Sequence, residues 1–107
     1  MDAALRAIAD PIRRRILALV WRDERTAGDI AARFEVSQPA ISQHLKVLLE
    51  TGLVGVRQVG TRRYYRTDHA AMAGLRALLE AFWEARLAAL KSEVEAEQRR
   101  RDTDDAS

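Results

Sequence analysis

The residues with the clearest potential for chemistry lie near the middle of the chain, on one side of an apolar-periodic segment. Ile41, Leu45 and Leu48 recur at the spacing of an α-helix. The side chains facing away from this apolar stripe are polar: Gln38, Ser42, Gln43 and Lys46. A glutamine amide can form two hydrogen bonds with adenine, a serine hydroxyl can bond several bases, and a lysine ammonium pairs with phosphate. Side chains of these types are able to contact nucleic acid.

A cluster of basic side chains follows in the next segment. Residues 53–67 contain β-branched and aromatic residues on both sides of a turn at Gly60, which predicts an antiparallel hairpin over roughly residues 53–59 and 62–67. Four arginines lie on this hairpin: Arg57, Arg62, Arg63 and Arg66. Guanidinium groups beside a base-reading helix are suited to phosphates or to the minor groove. We expect such contacts from Arg62 and Arg63, with Arg57 beside them.

The composition does not indicate enzymatic or metal chemistry. The chain has no cysteine and two histidines, His44 and His69. Thiolate zinc sites and thiol catalysis are therefore excluded, and an all-histidine site within one chain is not expected. No set of nucleophile, base and orienting group can be drawn around either histidine. We predict that the protein is not an enzyme and uses no cofactor and no resident metal.

Charge is distributed unevenly along the chain. Lys and Arg number 18 against 16 Asp and Glu, but residues 1–67 carry 12 basic and 7 acidic side chains, while residues 68–107 carry 6 and 9. A basic first part indicates a polyanionic partner. The longest uncharged stretch runs from Val36 to Leu45, well short of the about 18 residues that span a bilayer. With no signal-peptide pattern at the N-terminus, we expect a cytoplasmic protein that makes no membrane contact.

Helix-start signals indicate which elements position these residues. Asp10 precedes Pro11, and Thr26 and Ser37 each precede an apolar-periodic run, as N-cap residues do. Gly52 follows the last periodic residue of its segment and is suited to a left-handed C-cap. The sequence thus predicts four short helices, the hairpin, and a last helix from residue 68 to about residue 100. The fold class is mainly α with a β-hairpin wing, or α+β.

Three short helices followed by a basic hairpin are typical of a winged helix-turn-helix, and three stretches carry a closer resemblance. They read ALRAIADPIRRRIL, TAGDIAARFEVSQPAISQHLKVLLETGLV and GTRRYYR. With them the chain resembles the ArsR/SmtB family of bacterial transcriptional repressors over roughly residues 5–66, and more loosely through the last helix. The specific part is SQPAISQHLKVLLETGLV.

The resemblance implies roles for the polar residues of the central helix. In that family the second helix of the motif enters the major groove of double-stranded DNA, and the hairpin reaches the flanking backbone or minor groove. By position, Gln38, Ser42 and Gln43 are expected to contact bases, and Lys46 a phosphate. Pro39 is expected to set the helix start and to touch a thymine methyl group.

Two further residues, one on that helix and one on the second helix, are expected to have structural roles. His44 lies at the edge of the apolar face and is expected to be a half-buried packing residue. Arg13 occupies the arginine position of the family's Asp-Pro-x-Arg element, which is mostly structural, and we expect it to form an internal ion pair.

The metal sites of the family are incomplete in this sequence. The arsenic-type site has cysteines beside an aspartate at the start of the third helix, and here those positions read Thr26 and Gly28 beside Asp29. The zinc-type positions on the last helix read Asp68, Ala70, Ala81 and Glu84, without the two histidines. A lone Asp–Glu pair offers too few ligands for zinc. We predict a regulator that does not respond to metal, with His69 as a capping residue of the last helix.

The last helix is expected to form a homodimer. Its apolar residues span about half of its circumference, which is more than a small three-helix core needs to cover. Members of the family dimerise through their first and last helices. The dimerisation residues predicted here are Leu5, Leu75, Leu79, Phe82, Trp83 and Leu90. A two-fold dimer would read an inverted-repeat operator.

The sequence leaves alternatives to a metal-independent repressor. One is a metal-responsive repressor with a non-standard site built from Asp68, His69 and the acidic tail. Another is a winged helix that serves as a protein-interaction module. An unidentified small-molecule inducer is also compatible with the sequence. For domain organisation, we expect one DNA-binding and dimerisation domain over residues 1–100 and a disordered tail over residues 101–107.

Overall fold

The computed structural model of the chain describes residues 2–106, with side chains through residue 103. Its elements are α1 (Asp2–Ala9), α2 (Pro11–Leu19), α3 (Ala27–Ala31), α4 (Gln38–Glu50), β1 (Val54–Val59), β2 (Arg62–Thr67) and α5 (His69–Ala106). The order of four short helices, a hairpin and a long helix confirms the predicted α+β class. The chain divides after Leu75 into two units, which are described separately below.

The helix starts lie where their capping residues predict them. The Asp10 carboxylate accepts hydrogen bonds from the backbone N–H groups of Ile12 (2.8 Å) and Arg13 (3.1 Å). The Thr26 hydroxyl accepts one from Asp29 at 3.1 Å, and the Ser37 hydroxyl accepts one from Ala40 at 3.2 Å. Each bond satisfies a donor that the first turn of a helix leaves free, so these ends are set by local sequence.

The end of α4 is a Schellman motif at Gly52. Gly52 has φ of 75°, and its N–H donates to the Leu49 carbonyl at 3.0 Å, while the Leu53 N–H donates to the Leu48 carbonyl at 2.9 Å. A left-handed residue is required there, and glycine adopts that conformation without steric cost. The motif turns the chain from α4 directly into β1.

The core of the unit up to Leu75 is formed by one apolar face from each helix and the base of the hairpin. The largest side chains that are fully buried are Ile16, Val20, Ile30, Ile41, Leu45, Leu48, Leu53 and Leu75. Leu75 is 2% exposed and packs in this core. The expectation that Leu75 is available for dimerisation is therefore wrong, because the first two turns of α5 still cover their own unit.

The hairpin is the antiparallel pair that the sequence predicts, with Val54 opposite Thr67 and Val59 opposite Arg62. The second edge of β2 is also paired: the Arg25 N–H donates to the Tyr65 carbonyl at 3.1 Å, and the Tyr65 N–H donates to the Arg25 carbonyl at 2.8 Å. The segment before α3 thus adds a short bridge to the wing.

The base of the wing is tied to α2 through Thr67, which is 4% exposed. Its N–H donates to the Val20 carbonyl at 3.1 Å, and its hydroxyl donates to the Leu17 carbonyl at 2.8 Å. A buried hydroxyl needs such a partner, since an unpaired one costs free energy.

The end of α5 differs from the sequence-based expectation. The helix continues to Ala106, past residue 101, where a disordered tail was expected. Interactions between successive turns accompany this extension: Arg101 Nε lies 3.6 Å from Glu97 Oε1, and the Gln98 amide donates to Asp102 at 3.1 Å. Pairs at this spacing stabilise a helix modestly. Among the described residues, no helix is both long and apolar enough to cross a membrane.

Replacement of Thr67 by valine tests the tie between the wing and α2. Thr67→Val keeps the shape of the side chain and removes the hydroxyl, so we expect the free energy of unfolding to fall by about 1–2 kcal/mol. Urea denaturation followed by circular dichroism measures this. Thr61→Val, at the exposed hairpin turn, is the matched control and should change stability by less than about 0.5 kcal/mol. Equal effects of the two substitutions would contradict the prediction.

Candidate nucleic-acid interface

Helix α4 presents the polar face that the sequence predicts. Ile41, Leu45 and Leu48 are buried at 1% exposure or less, so the opposite side of the helix faces solvent. The exposed residues on that side are Gln38, Pro39, Ser42, Gln43 and Lys46. Since α4 follows the short α3 through a tight connection, with Ile30 and Ile41 in the shared core, the pair forms a helix-turn-helix.

Arg13 connects the end of α1 to α4. Its Nε donates to the Ala7 carbonyl at 2.7 Å, its Nη2 donates to the Arg6 carbonyl at 3.2 Å, and its Nη1 lies 3.2 Å from His44 Nδ1. The expected internal ion pair of Arg13 is wrong, since its partners are two carbonyl groups and an imidazole. His44 is half-buried on α4, which confirms its expected packing role.

The end of α1 attracts a second arginine. Arg14 Nη1 donates to the carbonyls of Ile8 (2.8 Å) and Ala9 (3.0 Å). The last carbonyls of a helix have no partner within it and carry a partial negative charge, so cations stabilise them. Arg13 and Arg14 are therefore both engaged with the end of α1.

The wing distributes its arginines over two faces. Strand alternation and the observed register place Arg57, Arg62 and Arg66 on one face. Arg63 lies on the other face, with its Cζ 5.8 Å from the centre of the Tyr65 ring. All four side chains are exposed. In the sequence, Arg62 and Arg63 belong to one basic cluster. Because they are neighbours in a β-strand, their side chains point to opposite faces of the hairpin.

Arg57 is bound within the protein by Glu24. Its Nε donates to Glu24 Oε2 at 3.2 Å, and its Nη2 bonds the other carboxylate oxygen. Hydrogen bonding to Arg57 lowers the pKa of Glu24 below its ordinary value, with a smaller contribution from the charge of Arg66. The same bond raises the pKa of Arg57. Glu24 lies 33 residues from Arg57 in sequence, and no spacing rule connects the two, so sequence analysis missed it.

The positions of the family's metal sites are occupied by other interactions. Asp29 Oδ2 lies 2.8 Å from Arg25 Nη1 and 4.0 Å from Arg33 Nε. The hydrogen bond from Arg25 lowers the pKa of the Asp29 carboxyl. The Asp29 carboxylate is thus paired with two arginines, and neither Thr26 nor Gly28 beside it has a thiol group.

The candidate ligands at the start of α5 also have partners within the chain. The Asp68 carboxylate accepts a hydrogen bond from the Ala71 N–H at 2.9 Å and is the capping group. The assignment of His69 as the cap is therefore wrong. The His69 ring stacks on Trp21 with 4.4 Å between ring centres, and its Nε2 lies 2.6 Å from the Trp21 carbonyl oxygen. Among the described residues, no three metal-binding side chains of the His, Cys, Asp or Glu type come together.

The part of α5 beyond Leu75 has an uncovered apolar face. Its large exposed apolar residues are Leu78, Leu79, Phe82, Trp83, Leu87, Leu90 and Val94. Trp83 is 61% exposed and Phe82 is 56% exposed, although such side chains are ordinarily buried. The predicted dimerisation residues Leu79, Phe82, Trp83 and Leu90 belong to this face. Leu5 is half-buried on α1 and packs against the core of the first unit.

A helix-turn-helix with a polar outer face, followed by a basic hairpin, defines the winged helix-turn-helix class of DNA-binding regulators. A family model described as bacterial regulatory protein, arsR family, matches residues 10–56. The chain is 40% identical over 96 residues to the HTH-type transcriptional regulator Rv2034 of Mycobacterium tuberculosis, and the match covers 90% of each chain.

Solved structures agree with this assignment. One, described as a possible transcriptional regulator for arsenical resistance, has a TM-score of 0.70 and 48% identity, covering 78% of this chain and 85% of the other. Another is the homodimeric winged helix-turn-helix DNA-binding domain of a Mycobacterium bovis protein, with a TM-score of 0.63, 32% identity, and coverage of 78% and 77%. The chain belongs to the ArsR family, and it is a DNA-binding transcriptional regulator rather than an enzyme.

Replacement of Arg13 tests its role in holding α4 against α1. Arg13→Ala removes charged hydrogen bonds to the end of α1 and the contact with His44, so we expect the free energy of unfolding to fall by about 2 kcal/mol. Urea denaturation measures this. Arg22→Ala is the control, because Arg22 is exposed and has no ion pair among the described side chains. If both variants were as stable as the wild type, the tie would contribute nothing.

Proposed function

We propose that this protein is a dimeric repressor that reads an inverted-repeat operator and does not respond to metal. The observation that carries the proposal is the exposed face of α4, whose hydrogen-bonding side chains lie beside an arginine-rich wing. Base edges are read by such side chains in the major groove, while cations position the protein on the phosphates. A protein-interaction surface is more often enriched in aromatic residues at its centre, and the α4 face has none.

In this proposal the α4 residues divide into base-reading and positioning groups. Gln38, Ser42 and Gln43 contact bases, and Pro39 contacts a thymine methyl group at the start of the helix. Lys46, one turn further along, pairs with a phosphate. A bidentate contact discriminates against a wrong base by about 1–3 kcal/mol, so the two glutamines provide most of the specificity.

The wing supplies contacts that do not depend on sequence. Arg62 and Arg63 lie near the hairpin tip on opposite faces, and this placement supports contacts with phosphates on either side of the wing or with the minor groove. Arg57 is further from the tip and is held by Glu24, so its contribution to DNA binding is smaller than that of Arg62 and Arg63.

Dimerisation is supported by the uncovered apolar face of α5 and by the homodimeric M. bovis relative. Burial of that face against a second copy would remove a tryptophan, a phenylalanine and several aliphatic side chains from water. A two-fold dimer presents two recognition helices about 34–36 Å apart, one turn of DNA, and this spacing selects an inverted repeat.

Metal independence is proposed from the interactions that occupy the family's ligand positions. The solved relative described as a possible regulator for arsenical resistance makes a metal-responsive repressor the second candidate. In this chain Asp29 is paired with arginines and Asp68 caps a helix. A metal would have to displace both interactions and would gain few ligands.

Fluorescence anisotropy on duplex DNA from upstream of the protein's own gene tests the proposal. We expect tight, salt-dependent binding that prefers this duplex to a random one and is unchanged by added zinc or arsenite. A lower affinity in the presence of zinc or arsenite would favour the metal-responsive candidate. Failure to bind either duplex would favour the interaction module. A repressor unaffected by both additions would direct the search to a small organic inducer.

The same assay distinguishes the contribution of the wing to DNA binding from that of α4. Arg62→Ala with Arg63→Ala should weaken binding to both duplexes alike and reduce the salt slope by about 0.9 for each phosphate that the wing no longer neutralises. Gln43→Ala should weaken binding to the upstream duplex selectively and leave the salt slope unchanged. The reverse pattern would show that the wing and α4 have been assigned the wrong roles.

Dimerisation through α5 is tested by placing a charge on its apolar face. Trp83→Asp should convert the dimer to a monomer in sedimentation velocity, because a carboxylate buried in an apolar interface lacks a partner. Ala88→Asp is the matched control, since Ala88 is exposed on the opposite side of the same helix. That variant should remain a dimer. A stable dimer formed by Trp83→Asp would exclude this interface.

A further inference from the structure

The ion pair between Glu24 and Arg57 joins the wing to the segment between α2 and α3. Both carboxylate oxygens of Glu24 accept hydrogen bonds from the guanidinium, at Nε and at Nη2. A bidentate pair of this kind is the arrangement that an arginine also forms with a phosphate group. The carboxylate therefore occupies the Nε–Nη2 edge of Arg57, which is one of the edges that the guanidinium would offer to a DNA backbone.

Glu24 lies among arginines in an open groove. The groove has a volume of about 700 Å³ and runs between this segment and the outer face of the wing. Its charged lining residues are Arg22, Arg57 and Arg66 together with Asp23 and Glu24, and Tyr64 lies among them. Arg57 also lies over the Tyr64 ring, with its Cζ 5.9 Å from the ring centre. The aromatic ring and the carboxylate together hold the Arg57 side chain along the wing.

A glutamate with an ordinary pKa is already ionised at neutral pH, and the hydrogen bond from Arg57 lowers the pKa of the Glu24 carboxyl further. Glu24 thus neutralises one arginine on the face of the wing shared with Arg62 and Arg66. A phosphate approaching Arg57 must either displace the carboxylate or bind next to a negative charge. Both routes weaken contacts with DNA of any sequence.

We propose that Glu24 acts as an internal substitute for a DNA phosphate, which occupies Arg57 and limits sequence-independent DNA binding. The inference rests on the proposed DNA-binding function and adds a determinant of affinity outside α4. A phosphate contact contributes equally to every duplex, so Glu24 lowers the affinity for random and for upstream DNA alike, and the base contacts of α4 still set the ratio between them. Glu24 contacts no base and acts through Arg57.

The experiment compares Glu24→Gln, Arg57→Ala and the double variant, by anisotropy on the upstream duplex and a random duplex over a series of salt concentrations. Glu24→Gln should tighten binding to both duplexes about 3- to 10-fold and steepen the salt slope by about 0.9, the value for one added phosphate contact. Arg57→Ala alone should change the slope little. In the double variant the slope should return to that of the wild type.

Asp23→Asn provides the matched control. Asp23 is the neighbouring carboxylate, is exposed, lines the same groove and has no ion pair with any described side chain. Its neutralisation removes the same charge without freeing an arginine. Glu24→Ala serves as a second variant, because a glutamine could still accept one hydrogen bond from Arg57.

Two results would overturn the inference while leaving the proposed function intact. One is an equal gain in affinity for Asp23→Asn and Glu24→Gln, which would indicate a general charge effect. The other is a decrease of the salt slope in Arg57→Ala as large as in Arg62→Ala, which would mean that Arg57 already contacts DNA. If the wild type bound neither duplex, the proposed function would fail and this inference with it.

Discussion

Burial of one face of α4 is the constraint on which the rest of the interface depends. Ile41, Leu45 and Leu48 are removed from water, and each such side chain contributes about 1.5–3 kcal/mol relative to exposure. Because successive residues of a helix are rotated by a constant angle, their burial determines which residues face outward. The polar residues from Gln38 to Lys46 are exposed as a consequence of packing on the other side.

The rest of the unit up to Leu75 restricts how α4 can move. Its start is capped by Ser37, its end turns at Gly52 into β1, and Arg13 connects its middle to the end of α1. The wing is held in turn by Thr67 and by the bridge at Arg25. A recognition helix and a basic hairpin are thereby held in one frame, as is needed to read bases at a set distance from phosphate contacts.

Two carboxylates of this protein, Asp29 and Glu24, are paired with arginines of the same chain. Asp29 stands where a relative of the arsenic-sensing type would place an acid beside cysteines, but here it stabilises Arg25 and the start of α3. Glu24 similarly engages Arg57 on the wing. Arginine is suited to both tasks, because its planar fork bonds a carboxylate and a phosphate with the same geometry. In the proposed mechanism, the Glu24 carboxylate and a DNA phosphate therefore compete for the guanidinium of Arg57.

The sequence by itself determined the order of the elements, the caps of α2, α3 and α4, the hairpin and the polar face of α4. These features depend on residues close together in the chain: Asp10 with Arg13, Ser37 with Ala40, and the left-handed turn at Gly52. The assignments of the α4 face to DNA and of the α5 face to a dimer remain predictions, since they concern molecules outside the chain.

Only the tertiary structure decided the partners of Arg13, the burial of Leu75, the stacking of His69 on Trp21 and the pairing of Arg57 with Glu24. His69 and Trp21 are 48 residues apart, and local spacing does not encode such a contact. A long, flexible side chain such as arginine can reach several carbonyls or carboxylates. Which one it bonds is settled by the packing of helices against each other, because that packing sets the distances between groups remote in sequence.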